Sequence, residues 1–266
     1  MSNTNELQQF FHEIATQILD FTKKHRNNNA VVLQKINTKD SVDFATETDV
    51  AVEKFIIHAI KNQFPNDEIL SEEENASTAT ETSKRLWIID PICGTSNFAR
   101  GLPLYVSNIA LAEMGEIVAS CVVDHLFGKY FWSVGDGIFE NMEPLHVEKR
   151  GPGTKVEVDL GALISAPQEV KDRHAKFIER FLRETDICCL SLNTSQSFLF
   201  VAEGIYDGFV TPWIHAWDIA APVFLIKQAG GVITDIDGNP WNLSSPNAVS
   251  ARDPKLHERL LSYLHQ

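Results

Sequence analysis

The sequence predicts a mixed α/β protein. Three features of the 266-residue chain carry that expectation: amphipathic helices at the start, closely punctuated β segments in the middle, and alternating strands and helices toward the end. Leu7, Phe10, Phe11, Ile14, Ile18 and Phe21 recur at three- and four-residue spacing, which lays them along one stripe of a first helix capped by Ser2 or Thr4. A second helix follows Asp49, with Val52, Phe55, Ile56, Ala59, Ile60 and Phe64 on one face until Pro65 ends it. The polar stretch 27–40 between them reads as loop with a short strand.

From Leu86 the texture changes. Leu86-Trp87-Ile88-Ile89 runs into Asp90-Pro91, a short buried strand that delivers an aspartate at its end. Four β-like runs follow, at 106–112, 117–123, 129–134 and 137–140, separated by Gly115, Gly128 and the Gly135-Asp136-Gly137 turn, which predicts an antiparallel meander. Beyond the break at Lys149-Arg150-Gly151-Pro152-Gly153 the pattern alternates: strand 162–165, helix 170–183, strand 188–192, helix 195–203, strand 208–210, and a helix from near Trp217 to Gly230-Gly231. Pro222 is expected in the first turn of that helix, where a backbone N–H has no intrahelical partner to lose. The chain thus divides into 1–142, helices plus an antiparallel sheet, and 143–266, an α/β half.

Composition narrows the function. With 44% hydrophobic and 22% charged residues the chain is an ordinary globular one. Its net charge of −13, from 23 basic against 36 acidic residues, speaks against nucleic acid and anionic membranes as partners. A small phosphorylated metabolite stays compatible, since bound cations reverse the sign of an acidic cleft locally. No run approaches the ~18 apolar residues of a membrane span. The first twenty residues lack the basic flank and apolar core of an export signal. Cys93, Cys121, Cys188 and Cys189 show no zinc or CxxC spacing and fit a reducing compartment, so the expected location is cytoplasmic.

Three acidic features stand at telling places: Glu72-Glu73-Glu74 after a strand-like Glu68-Ile69-Leu70, Asp90 at a strand end, and Asp218 at a helix start. Singly, a glutamate run is a solvated face and an aspartate before a helix is a cap. Together they could converge on a hard divalent cation, which takes a few carboxylates while a substrate phosphate completes its shell. The stretch Trp87-Ile88-Ile89-Asp90-Pro91-Ile92-Cys93-Gly94-Thr95-Ser96-Asn97-Phe98 resembles the signature of the inositol monophosphatase family, hydrophobic-Asp-Pro-Ile-Asp-Gly-Thr-x-Asn-Phe, at every position but Cys93. Asp43-Phe44-Ala45-Thr46-Glu47-Thr48-Asp49, Ser71-Glu72-Glu73, Trp217-Asp218-Ile219-Ala220-Ala221 and Ala229-Gly230-Gly231-Val232 supply the other family motifs in order, so the resemblance spans nearly the whole chain.

The resemblance implies a layered α/β/α/β/α sandwich of the inositol monophosphatase and sugar phosphatase type, with a metal site between its halves, and a homodimer. It implies that Glu72, Asp90 and the Ile92 carbonyl hold a first Mg2+, and that Asp90, Asp218 and the position of Cys93 hold a second. Mn2+ or Zn2+ are alternatives. Glu72 and Thr95 would orient the attacking water with Asp49 in support. Gly94, Thr95 and Ser96 would meet the phosphate, and Thr211 and Asp218 the rest of the substrate. The activity implied is hydrolysis of a small sugar, cyclitol or nucleotide phosphate, chemistry in which positioning and charge neutralisation suffice.

Two departures bear on that expectation. Cys93 replaces a family aspartate, and a thiol is a poor magnesium ligand, so the expected second site is weakened and activity reduced, with a metal-binding thiolate and a small buried structural residue both open at Cys93. Thr211 stands where the family's inositol enzymes carry a glutamate, seven residues before Asp218, and Leu192-Asn193-Thr194-Ser195 replaces the usual Gly-Ser or Gly-Thr-Ala segment. The competing class is a catalytically silent family member acting as a binding or regulatory protein. His215 beside Trp213-Ile214, and Trp87 and Trp217 beside the two aspartates, are expected to be structural.

Overall fold

The computed structural model of the chain describes residues 4–25, 32–34, 44–73, 83–148 and 151–265. Ser2, Asp43, Glu74, Lys149 and Arg150, singled out above, lie outside them. Helix α1 (Thr4–His25) buries Leu7, Phe10, Phe11, Ile14 and Ile18, with Phe21 only partly covered. Strands β1 (Val32–Gln34) and β2 (Phe44–Thr46) pair antiparallel and lead into α2 (Glu47–Gln63). That helix begins before Asp49 rather than after it. Thr46 is its N-cap, and its backbone N–H donates to Asp49 Oδ2 at 3.0 Å while the Asp49 N–H donates to Thr46 Oγ1 at 3.3 Å. Asp49 is therefore fixed inside the first turn.

A seven-stranded sheet follows in chain order: β3 (Glu68–Ser71), β4 (Arg85–Cys93), β5 (Val106–Glu113), β6 (Glu116–Asp124), β7 (Lys129–Ser133), β8 (Phe139–Glu140) and β9 (Glu143–Pro144), with the short helix α3 (Thr95–Ala99) after β4. Among the described residues of this sheet only the β3–β4 pair is parallel; the rest is the expected meander. The second half comprises β10 (Lys155–Val158), α4 (Gln168–Glu184), β11 (Cys188–Leu190), α5 (Gln196–Ala202), β12 (Gly208–Thr211), α6 (Ala216–Gln228), β13 (Val232–Thr234), β14 (Ala248–Ala251) and α7 (Pro254–Leu264). Its strands form one five-stranded sheet in the order β11-β10-β12-β14-β13. The strand expected at 162–165 is instead a 3-10 turn, Ala162–Ile164, and the strand of this region is β10.

Side-chain alternation builds the layers. On β4, Trp87 and Ile89 join the cluster that buries α1 and α2, whereas Leu86 and Ile88 point the other way, to α5 and α6. Those two helices also cover Phe209, Ile233 and Ala248 of the five-stranded sheet. The far face of that sheet, Val156, Val158, Val210, Val249 and Ala251, packs on Phe177 and Phe181 of α4 and Leu256, Leu260 and Leu264 of α7. The order is thus helices, sheet, helices, sheet, helices, and the central layer belongs to one continuous core. Each fully buried Phe, Ile or Leu in it contributes about 1.5–3 kcal/mol relative to exposure.

Pro222 lies well past the first turn of α6, deeper than expected. It removes the N–H that would bond the Asp218 carbonyl four residues back. The side-chain amide of Asn108 on β5 takes that place, Nδ2 donating to the Asp218 oxygen at 2.8 Å.

Candidate active site

Asp90 continues the alternation of Leu86 and Ile88, so its carboxylate leaves β4 on the face toward α6. It is 0% exposed, and among the described residues neither of its oxygens has a hydrogen-bond partner of ordinary geometry. Parallel pairing of Ser71 with Ile89 carries the chain onward so that the Glu72 N–H donates to the Ile89 oxygen at 3.3 Å, which brings Glu72 alongside Asp90. From the opposite side α6 presents Asp218, whose Oδ2 accepts the His215 N–H at 2.9 Å and caps the helix. Burial, then Glu72, then Asp218 push the Asp90 carboxyl well above the usual carboxylate range. A buried carboxylate crowded by acids and without ordinary hydrogen-bond donors is costly by itself and is the setting a divalent cation relieves. The residues fit such an ion.

Cys93 completes this group. Its sulfur and one carboxylate oxygen from each of Asp90 and Asp218 all lie within 4.8 Å of one another. The thiol is clamped from the far half: the Ser195 N–H donates to Sγ at 3.3 Å and Thr194 Oγ1 donates to the Cys93 carbonyl at 3.0 Å. Burial, then the Asp90 and Asp218 charges, raise the thiol well above its ordinary value. The segment 192–195, which departs from the family pattern, is therefore what holds the Cys93 loop.

Thr95 sits at the start of α3, its Oγ1 2.9 Å from Asp49 Oδ1 and 3.0 Å from the Ile92 carbonyl oxygen, one of which receives its single proton. Asp49 is 0% exposed, and burial raises its carboxyl against the pull of its hydrogen bonds to Thr46 and Thr95. Gly94 has φ +107°, and a Cβ there would stand 2.9 Å from the Leu104 oxygen, so only glycine makes this turn without strain. The N–H groups of Thr95 and Ser96 precede the first helical donors, Asn97 and Phe98, which bond the Gly94 oxygen at 2.9 and 3.0 Å. The Ser96 hydroxyl accepts from Arg100 Nη1 at 2.5 Å.

The structure thus gathers Asp49, Glu72, Asp90, Ile92, Cys93, Gly94, Thr95 and Asp218 at the ends of β3, β4, α2 and α6. Thr211 is placed differently. It is 0% exposed, with Oγ1 3.0 Å from Asp159 Oδ2 and 3.3 Å from the Trp213 oxygen, so the geometry offers no hydroxyl for a substrate contact there. His215 stacks on Trp217 at 4.5 Å between ring centroids. Trp87 packs among Phe10, Phe11 and Phe64 on the sheet face away from the site. Cys188 and Cys189 are free and exposed.

Three positioning residues were not apparent from the sequence. Glu53, one turn after Asp49 and 1% exposed, accepts the Glu73 N–H at 2.9 Å and pins the turn that presents Glu72. Glu157 on β10 accepts the Leu192 N–H at 2.7 Å and the Ser197 hydroxyl, anchoring the 192–195 segment from below. Asn108, paired with Asp90 across β4 and β5, donates to both the Asp218 carbonyl and Ser195 Oγ, at 2.8 and 2.9 Å. The available signals were a polar residue inside each of two apolar strands and a proline inside a helix.

Two expectations follow from these positions. Asn108→Ala strands the Asp218 carbonyl in the core and should lower the free energy of unfolding by about 1–3 kcal/mol in a denaturant titration. Burial first, opposed by its hydrogen bonds, raises Glu157 from 4.5 to about 7. The folded chain therefore holds this proton more tightly than the unfolded chain, and stability falls as pH rises from about 4.5 to 7. Glu157→Gln should flatten that window and recover up to about 3 kcal/mol above pH 7, read from melts across pH.

The sequence profile of the inositol monophosphatase family matches residues 3–266. The fructose-1,6-bisphosphatase/inositol-1-monophosphatase of Thermotoga maritima is 31% identical over 225 residues, covering 84% of this chain and 83% of that one. Inositol monophosphatase 1 of Bos taurus is 32% identical over 234 residues, covering 82% and 80%. The solved Thermotoga maritima IMPase superposes with a TM-score of 0.79 at 28% identity, over 96% of this chain and 95% of that one. By profile, sequence and fold together, the chain belongs to the inositol monophosphatase family of metal-dependent phosphatases.

Proposed function

We propose that this chain hydrolyses a small sugar, cyclitol or nucleotide phosphate by water attack at a divalent-cation centre anchored on Asp90. The observation that carries the reading is the fully buried Asp90 carboxylate, without an ordinary hydrogen-bond partner among the described residues and facing Glu72, Cys93 and Asp218. Glu72, Asp90 and the Ile92 carbonyl form an all-oxygen set suited to Mg2+, with Mn2+ as a substitute. Asp90, Asp218 and the Cys93 position form a second set, and the 1–142 and 143–266 halves each contribute to it. A cation bound here supplies charge neutralisation for the phosphoryl oxygens and acidifies a water.

The protein groups do the rest by position. Thr95 Oγ1 gives its proton to Asp49 or the Ile92 carbonyl and keeps a lone pair to accept from water, while Glu72 orients the same water. The N–H groups of Thr95 and Ser96, behind the Gly94 turn, are aimed at a phosphate. Asp218 is left as the substrate-facing carboxylate, since Thr211 is spent on Asp159. The enzyme reading is favoured over the silent one because the family relatives are named as phosphatases and the acidic cluster is retained.

A cytoplasmic homodimer acting on a metabolite completes the reading; the net charge of −13 speaks against nucleic acid and anionic membranes as partners. Among the described residues no helix is long and apolar enough to cross a membrane. The test is phosphate release from a panel of sugar, cyclitol and nucleotide monophosphates with Mg2+, Mn2+ or Zn2+. The expectation is turnover of at least one ester, abolished by chelation and restored by cation. No turnover with any pairing would overturn it.

A further inference from the structure

We propose that Asp90, Cys93 and Asp218 form a sulfur-containing cation site that selects a thiophilic divalent ion of the zinc type over magnesium. The proposal rests on the phosphatase reading above and concerns which ion the second position takes. In a tetrahedral zinc site with bonds of about 2.0–2.3 Å, ligand atoms stand about 3.5 Å apart. The sulfur and one oxygen of each carboxylate already lie within 4.8 Å of one another, so small side-chain rotations close the set. Magnesium asks instead for near-octahedral oxygen at shorter range, and this position offers two carboxylates and a thiol.

Two further observations point to a ligand rather than to packing. Among the described residues neither buried Asp90 oxygen has a hydrogen-bond partner of ordinary geometry, and the groups that face them are Glu72, Asp218 and the Cys93 thiol, a weak donor that leaves most of the carboxylate's demand unmet. The sulfur is also oriented from behind by the Ser195 N–H at 3.3 Å, the kind of outer hydrogen bond that fixes a metal-bound thiolate and spreads its charge. Thr194 holds the Cys93 carbonyl at 3.0 Å, so the backbone beneath the sulfur is fixed as well. Binding replaces the S–H bond with a metal–sulfur bond and releases the thiol proton to solvent, with no change of oxidation state.

Cobalt(II) is the probe, because its thiolate complexes absorb by sulfur-to-metal charge transfer. The chain should carry Cys188→Ser and Cys189→Ser, which remove the two exposed thiols outside the site; Cys121 is enclosed in the apolar layer against α1 and α2. Cobalt should raise a charge-transfer band that one equivalent of zinc abolishes, excess magnesium leaves in place, and Cys93→Ser lacks while still melting cooperatively. In Cys93→Asp the band should be absent and the magnesium concentration for half-maximal turnover at least tenfold lower. Cobalt binding without the band, or a band that survives Cys93→Ser, overturns the proposal. Metal-dependent phosphate release without the band leaves the phosphatase reading standing and removes this one. A band without hydrolysis of any ester does the reverse.

Discussion

Asp90→Asn should reduce metal-dependent hydrolysis by about a thousandfold or more, the equivalent of about 4 kcal/mol of transition-state stabilisation. Asp90 stands between Glu72 on one side and Asp218 with Cys93 on the other, so its loss weakens both ligand sets together. The same substitution should stabilise the metal-free protein. A buried acid short of hydrogen-bond donors and surrounded by other acids costs folding free energy, and an amide of nearly the same shape carries no charge to desolvate. A gain of about 1–3 kcal/mol would raise the melting temperature by several degrees in a chain of this size. Opposite signs for activity and stability distinguish a site residue from a core one, since a core defect lowers both.

Glu72→Gln should lower turnover by about a hundredfold, about 2.7 kcal/mol, while leaving metal-free stability nearly unchanged. Glu72 is only partly buried, in the turn after β3, and its backbone place is kept by its N–H bond to the Ile89 oxygen and by Glu53 beneath Glu73. What the variant loses is a negative ligand and the group that orients water. The check is melting with and without added magnesium: a ligand bound only by the native state raises the melting temperature, and that rise should shrink in Glu72→Gln. A stability loss as large as that of a core substitution would assign Glu72 a structural role instead.

What the sequence made legible was local. The apolar run before Asp90 read as a buried strand because every residue of β4 from Leu86 on is buried, and the glycine punctuation gave the meander its turns. The capping pair Thr46 and Asp49 lay in plain view, yet the helix was expected to start after Asp49, because an aspartate at the third helical position looks like a cap itself. What stayed hidden was compensated from far along the chain. No strand was expected at 155–158, where Glu157 interrupts the apolar pattern; its burial is made tolerable by Leu192 and Ser197. Pro222 read as a first-turn residue because nothing near it in sequence shows that Asn108, on the other sheet, bonds the carbonyl it leaves open. The Cys93 loop is held by Thr194 and Ser195, a segment marked in the sequence only by its departure from the family pattern.

The central claim is that the buried, acid-crowded carboxylate of Asp90 anchors a cation site, and calorimetric titration of the metal-free protein with Mn2+, beside Asp90→Asn, tests it most directly. The account predicts saturable binding to the unaltered chain and at least a hundredfold weaker binding to Asp90→Asn, with the variant melting no lower than the parent in the absence of metal. Equal Mn2+ binding by the two proteins, or none by the unaltered chain, would contradict it.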